Sequence, residues 1–313
     1  MKNLHLQKYQ KGFSLIELMI VMTVTLLVMI AAFSLMQGSI ITANVNYHLT
    51  DANQRLRNAQ EYINRDLLVA GDGIKGTANI WVPTAFATRH LSQRTTAELD
   101  PSATGYTNLG MILSDDNIPA STEVFDSPST TFIKTRSDRI TLISVDKAFT
   151  PISLPAWWTD YTTGTIWIPG GDVSIFDVGE IYYLSDGNSG IFGTVTGKNA
   201  GAGNIIWDES DSYKLNRVGP TGNVATATGY SSKPSTLMRV QIIQYFVDTE
   251  GRLIRRVFGL KGAGHSDAVI AENLTDLQFR YILQPTTNGT NIYDQPISQV
   301  GMDDRNLVRL VEP

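Results

Sequence analysis

The sequence predicts an α+β protein: one long N-terminal helix packed on an antiparallel β-sheet, with an enlarged β-rich C-terminal domain. Three observations predict it. From Phe13 to Met36 run 24 residues among which Glu17 carries the only charge. Behind them Leu49, Ala52, Leu56, Ala59, Ile63 and Leu67 recur at spacings of three and four, which is one face of a helix. From Arg139 onwards the chain breaks into short β-branched or aromatic runs bounded by turn residues.

The first twelve residues carry Lys2, Lys8 and Lys11, and no further Lys or Arg occurs before Arg55. A helix over residues 13–36 rises about 1.5 Å per residue and spans a hydrocarbon core of roughly 30 Å. The basic flank places its N-terminus in the cytoplasm and the rest of the chain outside. A secretory signal would have a shorter apolar core and a small-residue cleavage site after it. Here the small residue, Gly12, comes before the run.

Lys11-Gly12-Phe13-Ser14-Leu15-Ile16-Glu17 resembles the processing site of type IV prepilins. The resemblance implies that a prepilin peptidase cuts after Gly12 on the cytoplasmic side and that Phe13 becomes an N-methylated N-terminus. It also implies that the apolar helix is kept, first as an anchor and then as the core of a filament. The carboxylate of Glu17 within an apolar helix is expensive and functional by default. Cleavage would create an amine at Phe13 with a pKa near ~8, four residues from Glu17 and on the same helix face. The two can neutralise each other within one chain or between chains stacked with an axial offset. A third reading leaves Glu17 at headgroup depth, where the helix dipole favours an acid in the first turn. The resemblance favours the pairing between chains.

No proline occurs before Pro83, so the helix continues past Gly38 as an amphipathic half. Arg55, Arg57, Glu61, Asn64 and Arg65 fill its other faces, and Gly71-Asp72-Gly73 stops it. An amphipathic face of this kind buries itself against a sheet. The expected organisation is a leader at 1–12, a transmembrane half at 13–36, an amphipathic periplasmic half at 37–70 and a β-rich globular domain at 71–313.

Residues 71–138, rich in Gly, Thr, Ser, Pro and Asp, are expected as long loops with short strands. Strands are expected at Arg139–Val145, Gly164–Ile168, Glu180–Ser185 and Ile191–Thr196, and a surface loop at 197–235. Met238–Val247 and Leu253–Phe258 flank Asp248-Thr249-Glu250-Gly251, the strongest hairpin signal, with Gly251 available for positive φ. Ala268–Leu274, Leu277–Leu283 and Leu307–Val311 follow as strands, and the abrupt stop behind them reads as if the natural C-terminus lay further on.

This C-terminal arrangement, with Glu272-Asn273-Leu274-Thr275-Asp276-Leu277-Gln278-Phe279-Arg280-Tyr281, is similar to PilW minor pilins and to J-type pseudopilins of type II secretion. The likeness covers residues 11–67 closely and 238–283 less so, while 71–235 aligns with nothing. The size of that middle region favours PilW. The resemblance implies a minor pilin, not an enzyme, that primes type IV pilus assembly and sits at or near the tip. A type II secretion pseudopilin or a tip adhesin are the alternatives. The implied partners are other minor pilins, the major pilin, the prepilin peptidase, the inner-membrane assembly platform, the lipid bilayer and a tip adhesin. The implied location is the bacterial inner membrane, then the pilus tip at the cell surface.

Composition agrees with a structural role. Loss of the three leader lysines takes the formal charge from −5 to −8, which speaks against a nucleic-acid surface. There is no Cys, so neither disulfides nor thiolate metal sites arise. Gly71-Asp72-Gly73-Ile74-Lys75-Gly76 matches G-x-G-x-x-G but follows a helix where a dinucleotide site needs a strand. His5, His48, His90 and His265 are scattered, and no metal is expected. Asp115-Asp116 and Asp208-Glu209-Ser210-Asp211 lack an EF-hand pattern and read as solvated loop acids. Trp157, Trp158, Trp167 and Trp207 read as core aromatics, with sugar stacking as the alternative. No cofactor is expected.

Overall fold

The computed structural model describes residues 14–74, 79–91, 105–108, 110–115, 123–124, 131–132, 137–160, 163–216, 233–259, 264–283, 294–296 and 308–312. The fold is α+β, a long N-terminal helix and a large β-rich region. Helix α1 spans Leu15–Val69, 55 residues. It is followed by β1 Asn79–Pro83, a helical turn over Thr84–Phe86 and Ala87–Leu91, β2 Tyr106–Asn108, β3 Ile112–Asp115, β4 Glu123–Val124 and β5 Thr131–Phe132. Then come β6 Arg139–Val145, β7 Ile152–Leu154, β8 Thr159–Asp160, β9 Thr165–Trp167, β10 Ile181–Ser185 and β11 Ser189–Thr194. The remaining strands are β12 Gly197–Asn199, β13 Asn204–Ile206, β14 Ser235–Val247, β15 Leu253–Phe258, β16 His265–Ala271, β17 Arg280–Leu283, β18 Asp294–Pro296 and β19 Val308–Glu312. The chain divides into two compact units, residues up to Gln54 and residues from Arg55.

In the second unit β14 is the strand about which a ten-stranded sheet forms. Its first residues lie between β7 and β10, and its later ones between β6 and β15. Both faces of this strand are covered. Ile243, Tyr245 and Val247 point to one face with Ile140, Leu142 and Leu253, where Ala59 and Ile63 of the helix complete a cluster. Val240 and Ile242 point to the other with Ile143 and Phe258, against Val82, Phe86 and Tyr213. Burial on two faces explains why the strand carries apolar residues at adjacent positions, as at Ile242-Ile243 and Tyr245-Phe246-Val247. The 248–251 hairpin forms as expected: Gly251 takes a φ of 76°, and a Cβ there would lie 2.8 Å from the Leu274 carbonyl oxygen.

Several expectations need correction. Residues 79–83 are one of the short strands expected among the loops of 71–138, but β1 lies inside the main sheet and pairs with β11 in parallel where an antiparallel sheet was expected. Five residues ended by Pro83 are too few to display a period, and Ile80 and Val82 are nonetheless buried. Within the expected loop at 197–235, β12 and β13 form a hairpin in a second, four-stranded sheet with β9 and β8; residues 217–232 lie outside the described ones. Strand β16 starts and ends three residues earlier than expected. Leu277 and Phe279 are buried without belonging to a strand. The helix face is covered only from Ala59: Leu49 and Ala52 are exposed and Leu56 is 47% exposed. Spacing tells which residues share a face, not whether anything covers it. The helix stop holds, with φ of 74° at Gly71 and 80° at Gly73.

Candidate functional site

The first candidate is the bare half of α1. Every residue from Ser14 to Thr50 is exposed, and the helix is long and apolar enough to cross a membrane. Its hydroxyls are turned back on the helix. Thr23 donates to the Met19 and Ile20 carbonyls at 3.1 and 2.8 Å, and Thr25 to Val21 at 2.7 Å. Ser39 and Thr42 do the same to Leu35 and Gly38. A polar group in lipid must be satisfied within its own segment, and this is how a helix does it. Glu17 lies in the first turn, exposed, and no Lys or Arg stands between it and Gln54. Gly12 and Phe13 lie outside the described residues.

At the other end of α1 is a polar cluster that sequence reasoning missed. Asp66, on the covered face, is 5% exposed. Its Oδ2 accepts from the Tyr245 hydroxyl and from Arg255 Nε, each at 2.6 Å. Burial, and then the Asp66 carboxylate, push the Tyr245 hydroxyl above its ordinary range, so it stays a donor. Burial opposes the charge on Arg255, but the hydrogen bond and charge of Asp66 outweigh it and raise its pKa. Nearer the surface, Arg55 Nη1 meets Glu272 Oε2 at 2.7 Å. The sole sequence signal was an acid in step with Ala59 and Ile63, which looks like a break in the apolar stripe.

The other singled-out residues sort differently from expectation. Asp115 is no solvated loop acid: it is buried, and its Oδ2 accepts from Arg139 Nε and Nη2 at 2.9 and 2.6 Å. Asp211 is buried too and accepts from the Leu215 and Asn216 amides; burial raises its pKa against those bonds. Asp208 accepts from the Ser210 hydroxyl and amide, which hold its carboxyl below the usual range. Among the described residues no three His, Cys, Asp or Glu side chains converge so as to hold a metal ion. His90 packs in the core, its ring 5.2 Å from that of Phe86. Of the tryptophans, Trp207 is a core residue, but Trp157, Trp158 and Trp167 are not. These three line an open cleft of about 430 Å³ together with Gly170, Gly171 and Gly203. They escape the core because a turn and the outward face of a small sheet hold them.

A family model described as the prokaryotic N-terminal methylation motif matches residues 7–33. No curated protein and no solved structure matches the chain. The matched stretch supports a pilin or pseudopilin, a structural class of protein. It implies dealings with a prepilin peptidase and other pilus components in general, and with the apolar helix it fits a protein anchored in the inner membrane.

Proposed function

We propose that this chain is a minor pilin of the PilW type, with a structural role. It waits in the inner membrane, N-terminus cytoplasmic and β-rich domain periplasmic, and joins other minor pilins and the major pilin on the assembly platform. There it primes type IV pilus assembly and remains at or near the tip. Residues 1–12 are its leader, 13–36 its membrane segment, 37–70 its amphipathic helix half and 71–313 its globular domain. The peptidase cuts between Gly12 and Phe13, and the new amine of Phe13 is methylated.

The observation that carries this reading is a methylation motif opening onto a helix whose residues 14–50 all lie bare. Apolar surface of that extent needs lipid or like helices around it. Exchange of lipid for neighbouring helices takes Glu17 out of reach of water, where an unpaired carboxylate costs several kcal/mol. The Phe13 amine of a neighbouring subunit is its partner, since no Lys or Arg lies nearby in the mature chain. A J-type pseudopilin would share the motif; the size of the β-rich region favours the pilus.

Intact-mass measurement of membrane-extracted protein tests the processing. The wild-type chain should begin at a methylated Phe13, and Gly12→Arg should retain residues 1–12. Met1 on the wild-type chain refutes the reading. Glu17→Gln should still insert and be cleaved, yet co-purify with less of its partner pilins. Wild-type co-purification with normal pilus number removes the charge-pair role.

A further inference from the structure

The tryptophan cleft lies at the margin of the core: Ile168 is a core residue and Trp158 packs partly against the same cluster, whereas Trp157 stands in solvent. Pro155 to Trp158 form a turn closed by the Trp158 amide donating to the Pro155 carbonyl at 3.3 Å. Its third position is Trp157, with φ of 69° and 71% exposure. Turns give that position to Gly or Asn, and a bulky residue there is a backbone outlier. Burial does not account for it, because the ring is in solvent. Strain of this kind gathers at ligand-binding sites.

The small sheet adds a patterned face. The Trp167 amide donates to the Trp158 carbonyl at 2.9 Å, and Asp160 pairs with Thr165 two residues along. Side chains alternate across a strand, so Ile166 and Thr159 are buried on the inner face while Trp158, Trp167, Asp160 and Thr165 share the outer one. A row of two indoles therefore stands about 7 Å from a row of carboxylate and hydroxyl. Thr163 Oγ1 ties the polar row together, 2.8 Å from Asp160 Oδ2 and 2.9 Å from Thr165 Oγ1. Gly171 and Gly203 approach each other closely beside the indoles: a Cβ on Gly203 would lie 2.8 Å from Gly171 Cα, so a side chain there would force the two backbones apart.

We propose that this cleft binds a neutral carbohydrate, with a hexose ring stacked on the indoles and its hydroxyls donating to Asp160. The C–H face of a hexose carries the partial positive charge that an indole face attracts, and its hydroxyls need acceptors at the ring's edge. Among the described residues no Lys or Arg lines the cleft, and the one charge placed beside it is the Asp160 carboxylate, which disfavours an anionic ligand. The volume falls within the range of small-molecule sites. Asp160 beside the indoles favours a polyol over a proline-rich peptide, which would bring no hydroxyl donors. The inference is independent of the pilin reading.

The test is titration of the full chain, in detergent, with cellohexaose, maltohexaose and chitohexaose, read by tryptophan fluorescence and calorimetry. At least one should give saturable binding, which Trp157→Ala weakens by at least about tenfold and Asp160→Ala weakens severalfold. Trp157 is on the surface, so its loss should leave the unfolding midpoint in place, and Trp157→Phe should keep part of the affinity. Absence of saturable binding with all three oligosaccharides overturns the proposal. So does binding of decaproline in their stead, or sugar binding that survives Trp157→Ala and Trp167→Ala.

Discussion

Removal of the Asp66 carboxylate tests most directly what ties the helix end to the sheet. Asp66 and Arg255 have side chains 7% and 20% exposed, and their contact is 2.6 Å. Tyr245, whose hydroxyl donates to the same oxygen, is fully buried. Asp66→Ala takes the acceptor from the Tyr245 phenol and leaves the Arg255 guanidinium with only the Tyr245 oxygen, 3.2 Å from its Nε, in place of a carboxylate. Removal of one partner of a buried pair costs about 3–5 kcal/mol, a large share of a typical domain's 5–15 kcal/mol. Asp66→Asn keeps an acceptor but loses the charge, and neutral hydrogen bonds are roughly half as strong, so about 1–2 kcal/mol is expected. The cost comes from stranded partners more than from a lost attraction. Asp66→Leu combined with Tyr245→Phe and Arg255→Met should therefore recover much of the loss. The assay is urea unfolding of a soluble fragment beginning at Gly38, with a double-mutant cycle between Asp66→Ala and Arg255→Met. Coupling of about 1–3 kcal/mol is expected. Costs that add independently, or an Asp66→Ala fragment within about 0.5 kcal/mol of wild type, would show that the cluster is a bystander.

The same fragment serves three further predictions. Ile63→Asp should cost several kcal/mol, roughly the 2–5 of a lost buried aliphatic plus the burial of a charge, while Leu56→Asp, half in solvent, should change stability by less than about 1 kcal/mol; equal costs would mean that the helix face is covered further than Ala59. Burial, then the charge of Arg89, hold the His90 imidazole down from 6.5 to about 3, so below pH 6.5 the unfolded chain takes up a proton that the folded chain refuses. Stability should fall by about 1.4 kcal/mol per pH unit from this residue between 6.5 and 3, and a His90→Phe fragment with the same slope as wild type would refute the assignment. Gly251→Ala meets both a φ of 76° and the Leu274 oxygen, whereas Gly187→Ala meets only a φ of 86° with open space around it. The first should cost about 1–3 kcal/mol more in thermal unfolding, and equal melting would show that the Leu274 carbonyl gives way.

Much of the fold was legible because long elements advertise their period. The helix, the hairpin of β14 and β15, and β6 all occur where apolar spacing and turn residues put them. What escaped was short. Strands β1, β12 and β13 contribute a few residues each; β12 and β13 pair with each other but are too short to display a period, and β1 takes its place from a partner remote in sequence, with Ser189 opposite Asn79. No local signal encodes such a partner. Buried charge escaped for the same reason. Arg256, 1% exposed, reads as an ordinary surface residue of a strand until Asp267 is found 2.6 Å away on β16. The tryptophans escaped in the opposite sense: their size argues for the core, and the geometry of the Pro155–Trp158 turn and of an outward sheet face overrules it.

The two acids on the covered or apolar faces of α1 show where the boundary of legibility lies. Glu17 stood out at once, since a lone carboxylate among two dozen apolar residues has no cheap explanation. Asp66 did not, because the stretch around it carries Glu61, Arg65 and other charges, and a carboxylate in such company defaults to solvent. Yet Asp66 is the one with identified partners within the chain, while Glu17 is exposed on a helix that carries no Lys or Arg between it and Gln54. The contrast follows from what each environment can supply. A globular fold can bring Tyr245 and Arg255 from 179 and 189 residues away to neutralise an acid. A bare single helix can offer only its own turn, so an acid there must find its counter-charge on another molecule or remain at the water's edge. Asp66 is thus answered by the fold of one chain, a recourse that a bare helix does not give Glu17.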